Sequence, residues 1–229
     1  DLIRALGPFD VGQGVIVSGG RIEAIEGVEG TDRMIARAGA LRDAGDGSRR
    51  GVLVKRSKPE QDLRVDMPAI GPATVEGADA ARLAGIAVEA GKVLIADRAL
   101  ALEKANAAGV FIEGVRDASG AWQLGGTGNG CNDGHLTVLG GVRPQTHAVD
   151  DAMKGLRTVT ALERFDAGAT TVVVRKHVLA VEADDGAEAT ITRAAGLRQW
   201  ASLTRRRRGV AVVRHAATLS PRLVTLVAN

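Results

Sequence analysis

Two 34-residue stretches, 156 positions apart, share one apolar skeleton and align without a gap. The first, "FDVGQGVIVSGGRIEAIEGVEGTDRMIARAGALR", begins at Phe9; the second, "FDAGATTVVVRKHVLAVEADDGAEATITRAAGLR", begins at Phe165. Phe9, Asp10, Gly12, Val17, Ala24, Glu26, Gly30, Ile35, Arg37, Ala38, Leu41 and Arg42 all recur. "RRGVLV" at 49–54 returns as "RRGVAV" at 207–212, after two extra residues. A repeat that keeps its apolar positions is expected to keep its packing, so both copies must suit one backbone.

The pattern within the first copy predicts that backbone. "GVIVSGGRIEAIEG" at 14–27 reads as two strands turning at Gly19-Gly20. "TDRMIARAGALRDAG" at 31–45 places Met34, Ile35, Ala38 and Leu41 at helical spacing, with Thr31 positioned to cap and Asp32 in the first turn. "RRGVLVK" is a short strand and "GPATVEGADAARLAG" at 71–85 a helix. "GIAVEAGKVLIAD" supplies two strands around Ala90-Gly91, "RALALEKANAAG" a helix closed by Gly109, and "VFIEGV" a strand. Strands alternating with helices predict an α/β fold with a mixed sheet and flanking helices, present as one complete copy and one truncated, degenerate copy. Eight glycines between 118 and 141 mark a linker, which divides the chain into 1–117, 118–141 and 142–229.

Composition narrows the function. Aromatic residues make up 2% of the chain, too few for base-stacking platforms, and the net charge is only +3, so nucleic acid is not an expected partner. Cys131 is the only cysteine, which rules out an internal disulfide and a cysteine-based zinc site. The four histidines have no ligand spacing, and no apolar run approaches the ~20 residues of a membrane span. "GGTGNG" at 125–130 fits neither the dinucleotide fingerprint nor a Walker A loop, and "RRRR" at 205–208 reads as a solvated basic loop. The chain starts at Asp1 in helical character, as a piece of a longer protein would.

The polar positions of the repeat diverge. Ala169, Ala187 and Glu188 stand opposite Gln13, Thr31 and Asp32. The stretch "KPEQDLRVDMPAIG" at 58–71 has no charged counterpart beyond Arg222, and Val224 stands opposite Asp66. Surface drift is one reading; a site carried by the first copy alone is the other. Replacement of charged and hydrogen-bonding groups while the core letters stay favours the second. Asp66 precedes Met67-Pro68, where a residue is biased to extended backbone. A carboxylate on such a loop can ligate Mg²⁺, with Lys55, Lys58 and Arg64 neutralising phosphate charge. On spacing alone the segment reads equally as a solvated basic loop with Asp66 at a helix entry. "VEGTD" at 28–32 opens a helix whose N–H groups could hold an anion, or is an ordinary N-cap.

"FDVGQGVIV", "EAIEGVEGTDRMI", "GVLVKRSKPEQDLRVDMPAIGPATV", "RLAGIAVEAGKVLIADR" and "AGVFIEGV" follow one another in order over residues 1–117. This half of the chain resembles the C-terminal domain of the LpxI family, the UDP-2,3-diacylglucosamine pyrophosphatases of lipid A synthesis; the second copy resembles it faintly. The resemblance implies hydrolysis of UDP-2,3-diacylglucosamine to UMP and 2,3-diacylglucosamine 1-phosphate, with Mg²⁺ (or Mn²⁺), in the cytoplasm at the inner membrane surface. It implies Asp66 as the catalytic acid and metal ligand, and Gln13, Thr31, Asp32, Lys55, Lys58, Gln61 and Arg64 as substrate-facing. It also implies a Rossmann-like domain upstream, whose absence would leave the site half enclosed. A second expectation, of another class, is a non-catalytic module that binds a nucleotide sugar or an anionic membrane. The two copies can pack within one chain or across a homodimer.

Overall fold

The computed structural model describes residues 1–42, 48–58, 67–115, 146–198 and 210–213. A five-stranded mixed sheet organises the first half: β1 (Gly14–Ser18), β2 (Arg21–Ile25), β3 (Val52–Lys55), β5 (Gly85–Glu89) and β7 (Phe111–Val115), in the order β2-β1-β3-β5-β7. β1 runs antiparallel to both neighbours, while β3, β5 and β7 are parallel. The β1–β2 turn is made at Gly19 and Gly20, with φ of 55° and 81°, the left-handed pair that a two-residue hairpin of this twist requires. β4 (Ala69–Ile70) and β6 (Leu94–Ile95) form a separate two-stranded parallel pair. The strand expected after Ala90-Gly91 therefore exists, but pairs with β4 rather than with β5.

Alternation along β1 sends neighbouring side chains to opposite faces, and each face has its own cover. Ile16, Ala24, Leu53 and Ile86 are buried on one side against α2 (Thr31–Ala40), α3 (Pro72–Ala80) and α4 (Arg98–Ala108). Met34, Ile35 and Ala38 are the inward positions of α2, as their spacing predicts. Leu41 is not: the helix has ended there, and the side chain is half exposed. α3 also stops short of the expected span, because Arg82 turns left-handed at φ 53° just after its C-cap, Ala81. Asp97 caps α4 and Gly109 closes it at φ 68°.

Val15 and Ile25 face the other way. They meet α1 (Leu2–Leu6), α5 (Thr146–Glu163) and a three-stranded antiparallel sheet, β10 (Val210–Val213), β8 (Thr170–Val174) and β9 (His177–Val181). α6 (Gly186–Arg198) packs on the outer face of that small sheet. The pairings of β8, β9 and β10 reproduce those of β1, β2 and β3. Val17 lies opposite Val52 and Val173 opposite Val210, and the hairpin bulges fall between Ile16 and Val17 and between Val172 and Val173. At Gly12 and Gly168 a Cβ would stand 2.6 Å and 2.2 Å from the carbonyl oxygens of Glu26 and Glu182, so the shared glycine is a close-approach requirement in both halves.

One turn is built differently. β8 and β9 are joined by Arg175 and Lys176, both left-handed at φ 52° and 64°, where the first half has two glycines. Buried Asp151 on α5 accepts both of their backbone N–H groups, at 2.9 and 2.6 Å. The carboxylate offsets the steric cost of two side chains in that region. Asp151→Ala should lower stability by about 1–3 kcal/mol, since two N–H groups lose their acceptor. Urea denaturation checks this, and combining it with Arg175→Gly and Lys176→Gly should recover part of the loss.

Candidate anion site at the strand ends

The C-terminal ends of parallel strands in an open sheet are where α/β folds leave a crevice. Lys55 ends β3 there and is buried, 8% exposed. A polar relay holds it. The Lys55 ammonium donates to Thr31 Oγ1, Thr31 donates to Glu26 Oε1 at 3.0 Å, and Glu26 Oε2 accepts the Gln13 N–H at 3.2 Å. Thr31 is thus not the helix cap that its position suggested. Gly30, at φ 81°, occupies the cap, and the threonine side chain turns to Glu26 instead. The hydroxyl donates to Glu26 and accepts from the Lys55 ammonium.

Lys55 opens onto a cavity of about 520 Å³, lined by Gly30, Thr31, Asp32 and Arg33 at the start of α2 and by Gly71, Pro72, Ala73 and Thr74 at the start of α3. First-turn N–H groups have no partner within their own helix and carry its positive partial charge. Pro72 sits at the first helical position, where its missing N–H costs nothing, and Thr74 Oγ1 accepts the Gly71 N–H at 3.3 Å. Two helix N-termini and one buried ammonium therefore face a common space. Such a space attracts an anion with several oxygens.

Of the sequence-predicted site residues, Thr31, Asp32 and Lys55 line this cavity together. Gln13 lies outside its lining and contributes backbone: its N–H goes to Glu26 and its C=O accepts the Arg56 N–H at 3.0 Å. Lys58 also lies outside the lining, paired with Asp10 at 2.5 Å in an exposed contact. Gln61, Arg64 and Asp66 fall outside the described residues, as does the 118–141 linker. Among the described residues no group of three His, Cys, Asp or Glu could hold a metal by itself. Asp32 is one carboxylate on the cavity wall whose oxygens are not drawn into the Glu26 relay. That fits a cation shared with phosphate oxygens and water, which needs only one or two protein carboxylates.

Glu89 is the residue that sequence reasoning missed. It ends β5, one residue beyond the Val88 that lies opposite Lys55, and is buried. Its carboxylate accepts the Ser57 N–H at 3.3 Å and Oγ at 2.9 Å, and pairs with Arg56 at 3.1 Å and Lys92 at 2.9 Å. Burial pushes this carboxyl up, but the hydrogen bonds from Lys92 and Ser57 and the charges of Arg56 and Lys92 outweigh it, and the group lies below the ordinary glutamate value. The signal was available, an acid at the C-terminal end of a buried parallel strand, but only the register of β3 on β5 places Ser57 over it.

The sequence matches the LpxI C-terminal domain family over residues 1–113 and 135–218. The chain belongs to that family. It is similar to the UDP-2,3-diacylglucosamine pyrophosphatase LpxI of Caulobacter vibrioides, 46% identical over 118 residues, which cover 50% of this chain and 42% of that relative. The chain therefore spans less than half of the relative's length. The first segment of the family match, residues 1–113, holds β1–β3, β5, α2, α3 and Lys55, so the relay and both helix N-termini lie within it. Among the described residues, no helix is long and apolar enough to cross a membrane.

Glu89→Gln should destabilise the chain by about 1–3 kcal/mol at neutral pH, because charge-assisted bonds to Ser57, Arg56 and Lys92 become neutral or are lost. The sign follows from a depressed folded-state pKa: the stabilisation is present above the unfolded glutamate value and disappears as pH falls through the folded one. Denaturation of wild type and variant from neutral to acidic pH should show the difference between them shrinking.

Proposed function

We propose that the chain is the pyrophosphate-binding part of a UDP-2,3-diacylglucosamine diphosphatase. In the reaction water adds to one phosphorus of the anhydride, the bridging P–O bond breaks, and UMP and 2,3-diacylglucosamine 1-phosphate leave as two phosphate monoesters. The observation that carries this reading is the buried Lys55 ammonium at the meeting of the α2 and α3 N-termini. Phosphoryl transfer depends mainly on positioning and on neutralising charge over the phosphate oxygens. Lys55 supplies a fixed cation, held by Thr31 and Glu26. The first-turn N–H groups of α2 and α3 take non-bridging oxygens. Asp32, and Asp66 by its place in the matching family motif, would hold Mg²⁺ together with the diphosphate. The ion would add positive charge to the developing transition state. Asp66 would also orient the attacking water. Gln61 and Arg64, on the same segment, are assigned to the diphosphate as well. A lipid substrate puts the working protein at a membrane surface, which for this pathway is the cytoplasmic side of the inner membrane.

A second reading is a module that uses the same cavity and Lys55 ammonium to bind the nucleotide sugar without turnover. Two assays separate the readings. With Mg²⁺ and lipid substrate, UMP release should be detectable, and Lys55→Ala and Asp66→Ala should each reduce it by about 100-fold or more. Thr31→Val should cost less, because it loosens the ammonium without removing it. Saturable binding by calorimetry with no UMP released, in the chain joined to its natural upstream sequence, would leave the binding module standing and end the hydrolase assignment.

A further inference from the structure

The two halves do not merely adjoin; they meet through equivalent positions. Arg37 donates to Glu29 in its own half at 3.0 Å and to Asp185 in the other at 3.3 Å. Arg193, its counterpart 156 residues on, donates to Asp185 in its own half and lies 3.8 Å from Glu29 in the other. Each arginine also donates to the last carbonyl of the β-hairpin beside it, Arg37 to Ile25 at 3.0 Å and Arg193 to Val181 at 2.9 Å. Glu29 and Asp185 side chains are 4% and 1% exposed, so the ring of four charges is buried and neutral in sum.

The apolar contact follows the same rule. Leu6 and Leu162, Val17 and Val173, Ile22 and Val178, Ile25 and Val181 are equivalent pairs, and all belong to one cluster between the halves. Reciprocal contact, residue i to j and j to i, is the mark of an isologous interface, in which one surface patch meets a copy of itself. Two contacts break the rule: Arg21 pairs with Asp184, while His177 and Val28 stand at the equivalent positions, and the Val28 N–H donates to the Leu179 carbonyl without a matching bond from Asp184 to Glu23 among the described residues. By contrast, the site relay has no reciprocal. Ala187 and Val213 stand opposite Thr31 and Lys55. The interface keeps its charge signs and apolar character, whereas of the relay only Glu26 recurs, as Glu182.

We propose that the first half carries a self-complementary face, and that the second half covers it as a tethered, siteless stand-in for a second copy of that domain. The partner this face fits is another first half, with the Glu29–Arg37 pair meeting its own image. In the intact chain the face is filled from within, and the second half gives the site support: its Leu179 carbonyl accepts the Val28 N–H at 3.4 Å, and its Arg193 flanks Glu29, just ahead of the α2 N-terminus.

The test uses the full chain. Wild type should sediment as a monomer at micromolar concentration, and a stable wild-type dimer overturns the proposal. Asp185→Arg with Arg193→Glu keeps an opposite-charge pair inside the second half but sets like charges across the face. Buried mispaired charges are strongly unfavourable. The second half should be displaced and two first halves should pair, giving a concentration-dependent dimer. Adding Glu29→Arg and Arg37→Glu should restore the monomer. A double variant that keeps its circular dichroism and stays monomeric refutes the idea. If that variant does not fold, the single variant Arg193→Glu, which sets a like charge against Glu29 across the face, decides: a concentration-dependent dimer supports the proposal, and a folded monomer overturns it.

Discussion

One carboxylate ties the working end of the molecule together. Glu26 follows β2, and its two oxygens reach the segment before β1, through the Gln13 N–H, and the first residue of α2, through the Thr31 hydroxyl. Lys55 completes the line from β3. A buried ammonium or a buried carboxylate alone would be costly; bridged by a hydroxyl, each offsets the other. Of the three donor positions on the ammonium, one is spent on Thr31 among the described residues, and Lys55 itself lines the cavity. The second half shows what remains without it. Glu182 still accepts the Ala169 N–H at 2.9 Å, so the backbone geometry persists, but Ala187 and Val213 supply neither the hydroxyl nor the ammonium of Thr31 and Lys55.

The sheet gives that line its rigidity. Both faces of β1 and β3 are covered, one by α2, α3 and α4 and the other by α1, α5 and the small sheet. Strands buried on both sides do not shift without emptying a core, which is why residues at their ends can act as fixed points. Lys55 and Glu89 are two such ends, the last residues of neighbouring parallel strands, with Lys55 opposite Val88. The first faces the cavity. The second pins Arg56 and Ser57, where the chain leaves β3 for the segment that contains Asp66. Precision in an anion site requires that its cation be placed by packing rather than by the ligand.

Much of this architecture is legible in the order of the residues. Period-two and period-3.6 apolar patterns locate β1, β2, β3, α2 and α4, because burial on one face dictates that spacing. The gapless repeat anticipates that β8, β9, α6 and β10 resemble β1, β2, α2 and β3. Lys55 and Thr31 both stand out in their motifs. The misses share one cause. Thr31 caps nothing because Glu26, five residues earlier, presents an acceptor that a sequence pattern does not display. β6 leaves the main sheet because Pro68 and Ile70 offer it other backbone partners. Glu89 reads as an ordinary strand-end acid until Ser57, 32 positions away, is set above it.

By itself the sequence determined the apolar stripes of β1, β2, β3, α2 and α4, and that one half bears polar groups the other lacks, since these follow from local pattern and chemistry. Tertiary structure alone decided that two helix N-termini share a cavity with Lys55, and that Arg37 and Arg193 close a ring across the halves. Those facts depend on strand order and register, which bring together residues far apart in the chain through contacts that no local pattern encodes.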